Sequence, residues 1–523
     1  TTGSNNTAFG TQALRENITG NRNTAVGFQS LLYNTNGSNN SAFGYLSLFN
    51  NTTNLNNAFG YKALTSNTTG AFNSAFGSQA LLSNTIGSRN NAFGLNALRN
   101  TTIGSNNNAF GYYAMRENTT GANNTAVGHK SLQNNTIGYN NSAFGYKSLF
   151  ANTTGTYNTA IGFSTLQTNT IGVRNSAFGH AALILNTSGN NNSAFGYQAL
   201  LSNTTGQGNT ALGNASLRNN TIGVYNTAIA SGALYYNTTG NYNSAVGFYS
   251  LLLNTTGAYN SAFGMYAMRN NIGGVRNSAF GYGALLTNSV GTNNTAVGYL
   301  ALYTNTASNN IAVGYRSLFL NTTGTLNVAV GTSALENNTI GTSNIAVGYA
   351  ALFTNTTGIN NTAVGHQSLY SNTTGVNNTA VGLNALSSNT TGGANTAVGR
   401  SSLTGNTIGI NNSAFGHYTL LNNTTGNSNV AVGWSALQAN TIGYRNTAMG
   451  VSSLKNNTTG NLNSAFGYYA MNANTIGAAN VAVGYMASRL NTVGDHNSSF
   501  GYFALYNNTV SNNSAFGYKT LRF

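Results

Sequence analysis

The sequence predicts an all-β fold, a β-solenoid (β-roll) of about 31 coils with 17 residues per coil. Three observations predict it. A motif Asn-Thr/Ser-Ala-Phe/Val-Gly, with small variations, returns from Asn6 to Gly517; it ends at Gly10, Gly27, Gly44, Gly60 and onward, with Ala230 once in the glycine's place. The interval is 17 residues in 27 cases and 16 in three. Several columns inside the interval hardly vary, so like stacks on like if each unit winds once about a common axis.

Counted from that glycine as position 0, a unit reads Gly, aromatic, variable, Ala/Ser, Leu, variable, variable, Asn, Thr, Thr/Ile, Gly, variable, variable, Asn, Thr/Ser, Ala, Phe/Val. Position 13 is Asn in all 31 copies. Position 15 is Ala except at Ser499, position 4 is Leu or Met except at Ser488, and position 7 is Asn except at Thr101. No linker or composition shift interrupts the array, so residues 1–523 are expected to form a single continuous solenoid.

Positions 13 through 1 alternate β-branched or aromatic residues with small ones, which predicts a strand. Asn-Thr-Thr-Gly predicts a turn, because Asn and Gly tolerate positive φ. A second short extended segment and another turn are expected to complete the coil. The three short units, Gly44 to Gly60, Gly298 to Gly314 and Gly501 to Gly517, lose one residue and the turn glycine together. A deletion inside a strand would flip its faces, so it belongs in the turn. The longer form is expected to hold its glycine in a left-handed or bulged conformation.

Equivalent positions of stacked coils lie about 4.8 Å apart, so the 30 intervals predict a rod roughly 145 Å long. The Asn columns, which include Asn23, Asn40, Asn73, Asn124 and Asn226, predict a structural amide ladder that also satisfies turn backbone groups. Phe/Val at 16 and the aromatic at 1 share one face of the strand, and Ala at 15 and Gly at 0 share the other. One face lines the coil. The other is expected to meet a second copy of the chain, because a long apolar stripe does not stay in water.

Composition narrows the function. Charged residues are 4%, against about 25% in ordinary globular proteins. The four acids, Glu16, Glu117, Glu336 and Asp495, are scattered. Glu16 and Glu117 are expected about 29 Å apart by the coil rise, beyond the roughly 5–10 Å of glycosidase pairs. The absence of cysteine excludes thiolate metal sites and thiol catalysis. His129, His180, His366 and His417 stand at position 1 in place of Tyr or Phe, so they read as ring substitutes and not as metal ligands. No catalytic residue, metal site or cofactor is expected.

The net charge of +15 comes from missing acids and not from basic clusters, so no specific nucleic-acid partner is expected. Basic residues such as Lys62, Arg99 and Arg174 fall at variable positions 2, 5 and 12 and read as outward, solvated charge. No apolar run reaches 18 residues, so no membrane insertion is expected, and no signal peptide is visible. The chain opens inside a repeat and without Met, as expected of part of a longer or processed polypeptide. Asn67, Asn203 and Asn254 begin Asn-x-Ser/Thr sequons and are candidate glycosylation sites, although Asn-Thr already explains the turn.

GYKALTSNTTGAFNSAFG and GLNALSSNTTGGANTAVG resemble the GYxALxxNTTGxxNTAVG repeats of phage-type tail fibres and bacterial surface proteins. The NTAVG core is similar to the heads of trimeric autotransporter adhesins, which are trimeric left-handed β-rolls with shorter repeats. The resemblance covers essentially the whole chain. It implies an extracellular location at a cell or virion surface and a homo-oligomer or filament; it identifies an architecture and not a receptor, and a cell-surface glycan or receptor stands as a candidate partner. Together these readings point to a non-enzymatic structural fibre or fibre shaft, a stiff spacer with multivalent surface contacts. The alternative is a binding module for an ordered or polysaccharide surface such as ice, chitin or a cell-surface glycan, with Thr rows at positions 8 and 14 matching a lattice.

Overall fold

The computed structural model describes residues 2–522. It divides into two units, Thr1–Tyr259 and Asn260–Phe523, which are built alike. The first carries strands β1 (Thr7–Phe9) to β15 (Ser244–Val246), the second β16 (Ser261–Phe263) to β31 (Ser514–Phe516). Each strand is three residues long and contributes positions 14 to 16. In each unit successive strands pair in parallel with like residues opposite, as Ser176, Ala177 and Phe178 face Ser193, Ala194 and Phe195. The fold is therefore the all-β solenoid of 17-residue coils, with no helix among the described residues.

The remaining 14 positions form turns and bends, and no second extended segment exists among the described residues. The backbone explains this. Positions 2, 4 and 12 are left-handed coil after coil: Gln29 has φ 52°, Leu31 has 55° and Asn39 has 59°. Such residues cannot continue a strand. Left-handed φ costs a non-glycine residue about 1–2 kcal/mol. The compensation is directional. Gln29 N–H donates to Thr11 O in the preceding coil, while Leu31 N–H and Tyr33 N–H donate to Ser47 O and Phe49 O in the following one. Turning the chain back and forth aims successive amides along the stack, so non-strand backbone is still hydrogen-bonded between coils.

The interior is narrow. Ala25, Ala42 and Ala58 of position 15 point inward and are fully buried, as are Leu31, Leu48 and Leu64 of position 4. Position 3 adds Ala63 or Ser30, whose Oγ donates to Gly27 O at 3.1 Å. The strand's larger residues, Phe or Val, face outward. A methyl group is what this interior admits beside a leucine.

The turn glycine at position 10 departs from expectation. Gly20, Gly37 and Gly70 do not have positive φ. Their constraint is space. A Cβ on Gly70 would collide with the carbonyl oxygen of Gly87, with Asn67 Oδ1 and with Asn84 Nδ2. The left-handed conformation that the sequence reading placed here is found two residues later, at position 12. In the short coil Thr53 takes the glycine's station, and Asn51 Nδ2 donates to Thr53 O at 2.8 Å as Asn34 Nδ2 does to Gly37 O. Ser41–Phe43 and Asn57–Phe59 remain in register across the deletion, so the missing residue does lie in the turn.

Candidate functional site

Two asparagine ladders occupy the buried polar interior. At position 13 each Oδ1 accepts the backbone N–H of the Asn in the next coil: Asn23 N donates to Asn6, Asn40 N to Asn23, Asn73 N to Asn56, Asn124 N to Asn107 and Asn226 N to Asn209. The same side chains donate outward through Nδ2, as Asn23 does to Gly37 O at 2.8 Å. At position 7 the amides bond side chain to side chain, as Asn84 Nδ2 does to Asn67 Oδ1 at 2.7 Å, and each also donates to its own coil's glycine carbonyl. The two ladders converge on that carbonyl, which is why no side chain fits on the glycine.

The three sequon asparagines belong to the position-7 ladder. Asn67, Asn203 and Asn254 are fully buried, and their Nδ2 atoms donate to Asn51, Asn186 and Asn237 of the neighbouring coil. The nitrogen that would carry a glycan is inside the coil, so the folded protein has no room for one at these residues.

The exceptions to the columns have visible consequences. Thr101 interrupts the position-7 ladder. Asn84 Oδ1 is left without a hydrogen-bond partner, and Asn118 Nδ2, which keeps its bond to Gly121 O, meets only a long contact of 3.5 Å to Thr101 Oγ1 in the neighbouring coil. Thr101→Asn restores both rungs. It is expected to stabilise this region by about 1–2 kcal/mol, read as slower amide exchange at coils 94–128; unchanged or faster exchange would count against the ladder as a source of stability.

Ser488 and Ser499, the lone departures from the Leu and Ala columns, stand in one coil. Both are buried, and Ser488 Oγ donates to Ser499 Oγ at 2.9 Å. Each hydroxyl makes the other tolerable in an apolar interior. Ser499→Ala is expected to cost about 2 kcal/mol, because Ser488 is left as a buried unpaired donor. The double variant Ser488→Leu with Ser499→Ala rebuilds both columns and is expected to recover at least wild-type stability in a thermal melt. Additive effects of the two single changes would show that the pair is not coupled.

The outward face is a set of ring columns. At position 1, Tyr112, His129, Tyr146, Phe163, His180 and Tyr197 stack in sequence with centroids 5.0 to 5.3 Å apart. The histidines sit between rings as ring substitutes do, and His366 likewise stacks on Tyr349. At position 16, Phe43, Phe59, Phe76, Phe93 and Phe110 form a second column at 4.6 to 4.9 Å. These rings are half-buried to exposed. Tyr225, Tyr242 and Tyr259 stack at position 12. The Tyr112 hydroxyl is held above the usual phenol range, first by its hydrogen bond with Tyr113, and that of Tyr468 first by desolvation and then by Tyr469. Both rings therefore stay neutral through physiological pH.

Charged groups decorate this face. Lys62 lies over the Tyr61 ring and Arg174 over Tyr157. Arg99 is half-buried. All four acids are engaged: Glu16 with Arg15, Glu117 with Arg116 and Asn100, Glu336 with Arg316, and Asp495 Oδ1 with Ala478 N–H. Among the described residues no three His, Cys, Asp or Glu side chains come together to hold a metal ion. No helix among them is long and apolar enough to cross a membrane. The Thr row at position 8 turns its hydroxyls to the following coil, as Thr68 Oγ1 donates to Thr85 O at 3.0 Å.

Compared with known proteins, the chain matches no protein-family profile and no curated sequence.

Proposed function

We propose that this chain is a non-enzymatic structural fibre or fibre shaft, acting outside the cell or at a cell or virion surface as a stiff spacer. The observation that carries this reading is the disposition of polar groups within each unit. Backbone amides and two Asn columns bond each coil to its neighbours, so the interior is used for holding coils together. Load applied along such a stack is shared by many parallel bonds. The outward ring columns repeat one weak contact along many coils, and repetition raises avidity without any single strong site. They also supply an apolar surface suited to self-association.

Electron micrographs of negatively stained protein, with sedimentation velocity, test the proposal. Straight, uniform fibres or rods in a self-associated state are expected. A compact particle overturns the fibre reading, and a monodisperse monomer overturns self-association.

A second reading, adhesion to a polysaccharide or other ordered surface, is favoured by the same exposed rings at near-constant spacing. The position-8 Thr row adds little to it, because its hydroxyls are already bonded to the protein.

A further inference from the structure

The position-1 ring column is broken at several coils, as at Ser78, Leu95 and Thr332, and runs unbroken from Tyr282 through Tyr299 to Tyr315. In the second unit an open groove of about 400 Å³ runs along the stack among residues of positions 1, 2 and 5. One wall carries Tyr282 and Tyr299, stacked 5.2 Å apart; another carries Tyr303 and Phe319, also 5.2 Å apart. Arg269 and Tyr266 stand at one end, with the guanidinium carbon 5.5 Å from the ring centroid.

Gly283 lies behind the residues that line the groove. Position 2 carries a side chain in nearly every coil, but here it is glycine with φ 58°. A Cβ at Gly283 would lie 2.8 Å from Leu300 Cδ2 and 3.8 Å from both Leu286 Cδ1 and Tyr303 Cδ2. All three of those residues line the groove. A side chain at 283 would therefore push Leu300 and crowd the groove.

We propose that this groove binds an acidic saccharide, with sugar rings lying against the tyrosines and a carboxylate paired with Arg269. Sugar C–H bonds present a positive edge to the negative face of an aromatic ring. Stacked with centroids 5.2 Å apart, the paired rings are offset, and Tyr282 and Tyr299 keep part of their surface exposed to such an edge. The charge complement is specific. Arg316, over Phe319 at 4.2 Å, is neutralised by Glu336 at 2.8 Å. Arg269 forms no ion pair among the described residues, so the groove holds one unneutralised cation. One cation beside several ring faces suits a sugar acid. A single-stranded nucleic acid carries a phosphate at every nucleotide and calls for a basic track. This proposal deepens the second reading of function and is independent of the fibre reading.

Calorimetric titration of the full chain tests it, with oligogalacturonate, the neutral galactose oligomer of equal length, and oligo(dT) as probes. Oligogalacturonate is expected to bind one site per chain, about tenfold more tightly than the neutral oligomer, as one charge-assisted pair gives. Arg269→Gln should reduce it to the neutral level. Gly283→Gln should abolish binding without unfolding the coil, because Gln12, Gln29 and Gln79 occupy the same position at φ 52° to 58°. Arg400→Gln, an equal loss of charge outside the groove, should change nothing.

Equal losses in Arg269→Gln and Arg400→Gln would reduce the effect to diffuse charge and overturn the site. Binding that survives Gly283→Gln overturns the groove and leaves surface adhesion standing. Tighter binding of oligo(dT), falling steeply with salt, assigns the groove to nucleic acid and overturns the proposal. Failure of both saccharides overturns the groove, while adhesion to an ordered surface is read separately by pull-down on insoluble polysaccharide.

Discussion

Asn124→Asp is expected to destabilise its coil and both neighbours by about 4 kcal/mol at neutral pH, in the range for an uncompensated buried charge. Asn124 is fully buried. Its Oδ1 accepts Asn141 N–H at 2.9 Å, a bond that aspartate keeps. Its Nδ2 donates to Gly138 O at 2.8 Å and to Asn107 Oδ1 at 3.2 Å, and there aspartate brings oxygen against oxygen.

The pH dependence follows from the same geometry. Burial and two facing oxygens raise the folded-state pKa of the introduced carboxyl above its unfolded value of about 3.9. The protonated acid can donate to Gly138 O. The variant is therefore closest to wild type below about pH 4, and its deficit grows as pH rises from there until the buried carboxyl ionises. Wild type has no such group and serves as the reference. A stack of coils unfolds by sections, so amide exchange around Asn107 to Asn141 is the measurement. A deficit independent of pH would mean that the lost amide donor, and not the charge, dominates.

The sequence made the repeat, the strand, its register and both Asn ladders legible, because each is a column of one residue type and columns become stacks. The sites that stayed illegible are those where backbone conformation, not residue chemistry, decides. Leu31, Gln29 and Tyr157 are not residues that announce positive φ, yet all three have it. A signal was nevertheless present. Val, Ile and Thr never occupy positions 2, 4 or 12, although Thr is abundant at 8, 9 and 14. β-Branched residues are the least tolerant of left-handed φ, so their exclusion marks those positions. The second extended segment fails for the same reason.

The outward face was harder still. The rings at positions 1 and 16 were visible as a shared face, but only the width of the interior decides that alanine goes in and phenylalanine out. Ser488 and Ser499 are eleven residues apart and look like unrelated exceptions until the coil brings their hydroxyls together. Gly283 is one of 64 glycines, and nothing in its neighbours distinguishes a glycine behind a groove from one in a turn.

Gly172→Ala is expected to cost about 4 kcal/mol, from overpacking together with the loss of ladder bonds. The introduced Cβ would lie 2.6 Å from Gly189 O and 2.9 Å from Asn186 Nδ2, and would also strike Asn169 Oδ1. Two of these partners are fully buried amides and the third is backbone, so none can yield without breaking a rung. Gly172 O already accepts Asn158 Nδ2 at 2.8 Å and Asn169 Nδ2 at 3.1 Å, and displacing it disturbs both ladders.

The protein contains its own suppressor. Thr53, Ala307 and Val510 occupy this station in the three short coils, each with one residue fewer in the turn. Deleting Ile171 together with Gly172→Ala converts Asn-Thr-Ile-Gly-Val-Arg-Asn into Asn-Thr-Ala-Val-Arg-Asn, the length of Asn305 to Asn310. The deletion variant should recover all but about 1 kcal/mol, the net worth of one hydrogen bond. The residual deficit has a natural counterpart: Asn288 Oδ1, in the coil before the short Gly298 to Gly314 unit, has no partner. Thermal melts and amide exchange of the two variants side by side decide the matter. If the deletion worsens Gly172→Ala, the shortened turn is not an alternative solution to the same steric constraint, and the crowding at position 10 is not what excludes a side chain.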